Sequence, residues 1–172
     1  LTAFNVADGN TVFSSDGGVL FNKDKTTIVQ YPVGKSGDSY DIPASVTSIG
    51  VYAFSGCANL TAVNIPSGVT SIGDYAFNNC SGLTSVTIGS AVTSIGMSGF
   101  RNCTSLTTVT VKAEECALGS SAFAVCDNLA AIYVPSGRVE YYKGATNWSA
   151  YSGIIHSVVA SGYCGVPSVN DG

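Results

Sequence analysis

The sequence predicts an α/β solenoid, and three observations predict it. Four consecutive segments, 43–65, 66–88, 89–111 and 112–134, align without a gap at a period of 23 residues. Apolar residues recur at fixed places in each: Val46, Val69 and Val92; Ile49, Ile72, Ile95 and Leu118; Phe54, Phe77, Phe100 and Phe123; Cys57, Cys80, Cys103 and Cys126. Each unit then closes on Leu-x-x-Val-x-Ile or a near variant, as in Leu60, Val63 and Ile65. About seven inward positions per unit are enough for stacked coils to bury one continuous core.

The elements follow in chain order. Leu1–Val6 matches the last six positions of the unit (compare Leu60–Ile65), so the chain is expected to open on a strand whose preceding turn lies upstream, as a piece of a longer protein. Residues 11–32 read as strands around Ser15-Asp16-Gly17-Gly18 and Lys23-Asp24-Lys25, and Ser39–Pro43 as a degenerate strand ending. Within each unit the terminal Val-x-Ile alternates with a period of two and is β-branched, which predicts a short strand. Successive coils run the same way, so these strands pair in parallel about 4.8 Å apart, roughly seven of them making a sheet about 30 Å long. The middle of the unit, such as Asp74–Cys80, is too short for a standard α-helix and suits one helical or 3₁₀ turn. Gly50, Gly73, Gly96 and Gly119 precede it, where a corner or an unusual φ is expected. In the fourth unit Lys112, Glu114, Glu115 and Cys116 break the pattern and place a charge where three other units have an inward Val, which reads as degeneration toward a cap.

The pattern Val-Thr-Ser-Ile-Gly-x-x-Ala-Phe-x-x-Cys-x-x-Leu-Thr-x-Val-x-Ile, complete at 46–65 and 69–88, closely resembles the BspA-like leucine-rich repeats of bacterial and protozoan surface proteins. The resemblance is firm over 43–134. It implies a right-handed leucine-rich repeat coil with a parallel β-sheet on one face and short helical or 3₁₀ turns on the other. It also implies a flanking β-hairpin and, through Tyr133–Lys143 and Trp148, a C-terminal capping helix. The expected organisation is an N-terminal flank at 1–42, four repeats at 43–134, and a cap with the start of a linker or further module at 135–172. The location implied is extracellular or cell-surface, and the implied role is binding of host or matrix macromolecules.

Composition excludes several other functions. Charged residues are only 10% of the 172, and the net charge is −4, so there is no basic footprint for nucleic acid. Mean hydropathy is +0.31, yet Ser, Thr or Gly interrupts every apolar stretch well before the roughly 18 residues of a membrane span. The four repeat cysteines stack side by side, too far apart and too parallel for disulfides, and read as buried thiols. A row of thiols without His does not surround a tetrahedral metal. Cys116 and Cys164 lie outside the row, either bridged or free. His156 reads as a tail residue without a catalytic partner. There is no Gly-x-Ser-x-Gly elbow or paired-carboxylate spacing, and Asp8, Asp16, Asp24, Asp38 and Asp41 read as turn residues. Asn59, Asn79, Asn102 and Asn147 open Asn-x-Ser/Thr sequons but read as turn residues in a Ser/Thr-rich chain. No cofactor, metal or catalytic residue is expected.

The surface left for function is the outward side of the strands. Thr61, Asn64, Thr84, Thr87, Thr107, Thr110 and Tyr133 form a smooth, nearly uncharged face and are the candidate binding residues for a protein or glycan ligand. It is unlike the enclosed pocket of a small-molecule enzyme. A second exposed row, Tyr52, Tyr75, Asn78, Asn79, Arg101 and Asn102, either contacts a partner or merely leans on the convex face. The favoured function is a non-catalytic adhesion or interaction module. The alternative is a structural spacer in a larger surface protein.

Overall fold

The computed structural model describes residues 1–158. Strands β1 (Phe13–Asp16) and β2 (Val19–Asn22) form an antiparallel hairpin around Gly17 and Gly18, whose φ values of 52° and 82° are the left-handed ones glycine tolerates. The chain turns through Lys23–Lys25 into β3 (Thr27–Gln30). From there each repeat makes two strands, as β4 (Ser48–Ile49) and β5 (Ala62–Asn64), β6 (Ser71–Ile72) and β7 (Ser85–Ile88), β8 (Ser94–Ile95) and β9 (Thr108–Val111), β10 (Ala117–Leu118) and β11 (Ala131–Val134). Helix α1 (Val139–Gly144), a 3₁₀ segment (Trp148–Ile154) and β12 (Ile155–Ser157) follow.

Two sheets line the coil where one was expected. The anticipated strands form a five-stranded sheet ordered β12-β11-β9-β7-β5, all parallel, extended at one edge by a single bridge from Ser39 to Ala62. It is shorter than the seven strands expected. The second sheet, ordered β1-β2-β3-β4-β6-β8-β10, recruits the Ser-Ile pair of the first three units and Ala117–Leu118 of the fourth. Leu1–Val6 forms no strand; Phe4 N–H donates to the Gly18 carbonyl at 2.9 Å, and Gly34 N–H to that of Leu1 at 2.8 Å. The hairpin stands where a preceding coil would have offered a parallel partner.

In the turn, local and neighbouring bonds alternate. The N–H groups of Ala76, Asn78 and Cys80 reach three residues back, as in a 3₁₀ turn, while those of Tyr75, Phe77 and Asn79 donate to Met97, Gly99 and Arg101 in the next coil. Tyr75 and Asn79 are left-handed, at φ 56° and 60°, so the turn does not run on into helix. The same two positions are left-handed in the other units: Tyr52, Ser98 and Ser121 at the first, Gly56, Asn102 and Val125 at the second. Val125, β-branched at φ 58°, is the strained member. The unusual φ expected at Gly50, Gly73, Gly96 and Gly119 therefore falls two residues later. Those glycines are small for another reason: a Cβ on Gly73 would meet the backbone of Val51 and Gly50 at 2.7 and 2.8 Å.

The core is an aromatic spine. Rings of Tyr31, Phe54, Phe77, Phe100 and Phe123 stack in series, with centroids 4.8 Å apart for Phe54 and Phe77 and 4.9 Å for Phe77 and Phe100, until Trp148 tilts across the last. Beside it runs the thiol ladder. Cys80, Cys103 and Cys126 each donate to the Phe carbonyl of the preceding coil, at 3.1, 3.2 and 3.1 Å. Burial pushes the Cys57 and Cys116 thiols up to about 12 from an ordinary value near 9. Folded thiols that keep protons the unfolded ones lose stabilise the fold fully below about pH 9, and this contribution falls as pH rises toward 12. Thus stability measured by urea unfolding should decline above pH 9. An alkylating reagent should leave Cys57, Cys80, Cys103, Cys116 and Cys126 unmodified at pH 7.5 and label them after denaturation without reductant. Rapid native labelling, or a disulfide within the ladder, contradicts this packing. Cys164 lies outside the described residues.

The fourth unit absorbs its charges by turning them out. Glu115 does not point inward: its side chain is 56% exposed and accepts from Arg138 Nη2 at 3.1 Å, while Arg138 Nε donates to Glu114 at 3.0 Å. Cys116 and Ala113 are buried instead. The edge of β10 would otherwise present open carbonyls. Trp148 Nε1 donates to Cys116 O and Asn147 Nδ2 to Leu118 O, both at 2.6 Å, and Tyr142 Oη donates to Ala113 O at 2.8 Å. Side chains from the cap thus replace the N–H groups of a further coil.

Candidate functional site: the outward face of the five-stranded sheet

Strand alternation sends Val63, Val86, Val109 and Ile132 into the core and the residues between them outward. Parallel register then aligns the outward residues in rows. Asn64 lies opposite Thr87, Thr87 opposite Thr110, Thr110 opposite Tyr133, and Tyr133 opposite His156. A second row runs Ala62, Ser85, Thr108 and Ala131. All seven sequence-selected residues lie on or beside this face, but they are not equivalent.

Thr61, Thr84 and Thr107 form a rim whose hydroxyls are already committed. Thr61 Oγ1 donates to Asp38 O at 3.2 Å, Thr84 Oγ1 to Thr61 O at 2.9 Å, and Thr107 Oγ1 to Thr84 O at 3.0 Å. They lace one coil to the next, as Thr70 and Thr93 do on the other sheet. The side chains of Asn64, Thr87, Thr110, Tyr133 and His156 make no hydrogen bond to any other described residue. The candidates thus divide into a structural rim and a row with free donors and acceptors.

His156 is the residue that sequence reasoning misplaced. It belongs to β12, paired with β11, and its ring lies 6.0 Å from that of Tyr133, tilted by 44°. The signal was faint: Ile155 inward and His156 outward repeats the phase of Ile132 and Tyr133, but no second apolar residue completes the repeat strand ending.

The turn face carries the competing row. Tyr52 and Tyr75 stack on each other with centroids 4.9 Å apart and 9° between planes. Tyr52 is 49% exposed and Met97 40%. Asn102 Nδ2 donates to Asn79 Oδ1, so those two amides are engaged with one another. Among the described residues no group of three or more His, Cys, Asp or Glu is placed to hold a metal ion.

A family model described as the BspA type leucine rich repeat region matches six copies across residues 34–147. The chain belongs to this family. Among solved structures it is similar to a leucine-rich repeat protein of Eubacterium ventriosum, at 33% identity and a TM-score of 0.73 over 78% of this chain and 36% of that one. A leucine rich cell surface protein of Faecalibacterium prausnitzii matches at 28% identity and 0.71, over 87% of this chain and 40% of that one. A leucine-rich repeat protein of Bacteroides capillosus matches at 28% and 0.63, over 72% of this chain and 98% of that one. The chain thus spans 36% and 40% of the first two proteins. No functionally curated protein matches it. BspA-type repeats account for the fold: an α/β solenoid with sheets along its length and few short helices.

Proposed function

We propose that this chain is a non-catalytic interaction module of a cell-surface or secreted protein, binding host or matrix macromolecules through the outward face of the five-stranded sheet. The observation that carries the reading is the contrast between rows: the rim threonines are committed to the coil, while the polar groups of the Asn64 to His156 row bond to no other described residue. The likeness to a leucine rich cell surface protein supports the location. Among the described residues no helix is long and apolar enough to cross a membrane. A flat, uncharged row makes many weak contacts, so a single module should bind at micromolar or weaker affinity with little salt dependence, and strength should come from several modules together.

The test is a sensor panel of matrix proteins and glycans probed with the parent and with Thr87→Arg/Thr110→Arg. Both side chains lie on the outward face, so the double variant should keep its circular dichroism and lose binding. Normal binding by the double variant, with loss in Tyr52→Ala/Tyr75→Ala, would move the working surface to the turn face. Retention of nothing on the panel would favour the spacer.

A further inference from the structure

We propose that the ligand of this face is a neutral glycan chain, laid across the strands along the row from Asn64 to His156. This rests on the interaction-module reading and adds the chemical class of the partner. Three features of the row select that class. First, Asn64, Thr87, Thr110 and Tyr133 are all uncharged, so a sulfated or phosphorylated polymer would find no Lys or Arg within the row to pair with, the exposed Lys112 lying at its border two residues past Thr110. Second, the cavities lined by Cys116 and Trp148, by Val6 and Phe13, and by Tyr151 and Ile154 include none of the row's residues in their walls. A protein partner of useful affinity concentrates its energy in a buried aromatic or Arg anchor, and the smooth grid of Thr87 and Thr110 offers such an anchor nowhere to enter. Third, the free groups match sugar hydroxyls in kind: each threonine hydroxyl is one donor and two acceptors, and the Asn64 amide supplies both functions.

One end of the row gives the chain a place to lie. Tyr133, 36% exposed, and His156 form an aromatic shelf against which the C–H face of a pyranose can pack. Five strands at about 4.8 Å spacing make the row roughly 19 Å long, room for a short oligosaccharide whose residues follow one another at about the interval of the strands. The turn face is a poorer platform, because Tyr52 and Tyr75 cover each other's inner faces.

The experiment is titration calorimetry of the protein with three neutral β-1,4-linked hexasaccharides, of glucose, mannose and N-acetylglucosamine, and with heparin, beside the matrix-protein panel. Thr87→Val/Thr110→Val removes both hydroxyls at constant shape, and Tyr133→Ala removes the shelf. At least one neutral hexasaccharide should bind, indifferent to added salt, and each variant should weaken it by about tenfold. Heparin should not bind. If a matrix protein binds and Thr87→Arg/Thr110→Arg abolishes it, while no neutral hexasaccharide binds, the glycan assignment falls and the interaction module stands. Hexasaccharide binding unaffected by either variant, or lost in Tyr52→Ala/Tyr75→Ala, also overturns the assignment. If nothing on either panel binds, both fall.

Discussion

Replacing Phe77 with alanine is expected to cost about 3–5 kcal/mol and lower the thermal midpoint by about 10 °C. Phe77 is fully buried, and its ring is stacked between Phe54 and Phe100 with centroids 4.8 and 4.9 Å away. Truncation removes a ring from the middle of the spine, and the cavity cannot close without moving both neighbours. Each repeat is stabilised chiefly by the coils beside it, so the loss falls on two interfaces at once. Differential scanning calorimetry measures it, and an unchanged midpoint would show that the aromatic register is wrong.

Gly73→Ala should be nearly as damaging although it adds only a methyl group. The new Cβ would sit 2.7 Å from Val51 N and 2.8 Å from the Gly50 carbonyl carbon, both backbone atoms of the preceding coil. No rotamer relieves such a contact, so the coils must separate and stretch the parallel bonds of β4 and β6. A cost of about 3 kcal/mol is expected, at the upper end of what overpacking produces. Gly144→Ala is the control: nothing lies within 4 Å of its Cβ position, and it ends a helix. Equal urea midpoints for the two variants would contradict the close approach of the coils.

What the sequence made legible was whatever the period repeats. Inward residues such as Val63, Phe77 and Cys103 recur at a fixed place, and all are buried. The second sheet stayed hidden because Ser71 and Ile72 make a strand only two residues long, and its ladder comes from stacking rather than local alternation. Gly73 was visible as invariant within the repeat, but its reason lies in the neighbouring coil. Glu115 looked inward by alignment; a local change in the path of the chain turned it out and put Cys116 in its place. At the candidate site, alternation located the outward residues. It could not separate Thr84 from Thr87, because that distinction depends on whether a carbonyl of the preceding coil lies within reach of the hydroxyl.

Hydroxyl-radical footprinting of the complex with the ligand retained by the binding panel tests the central claim most directly. Tyr133 and His156 report on the sheet face, and Tyr52, Tyr75 and Met97 on the turn face, all oxidisable side chains within one protein. Protection of Tyr133 and His156, with Tyr52 and Met97 oxidised at their free rate, is the result expected of recognition through the Asn64 to His156 row. Protection of Tyr52, Tyr75 and Met97 with Tyr133 unchanged would contradict it.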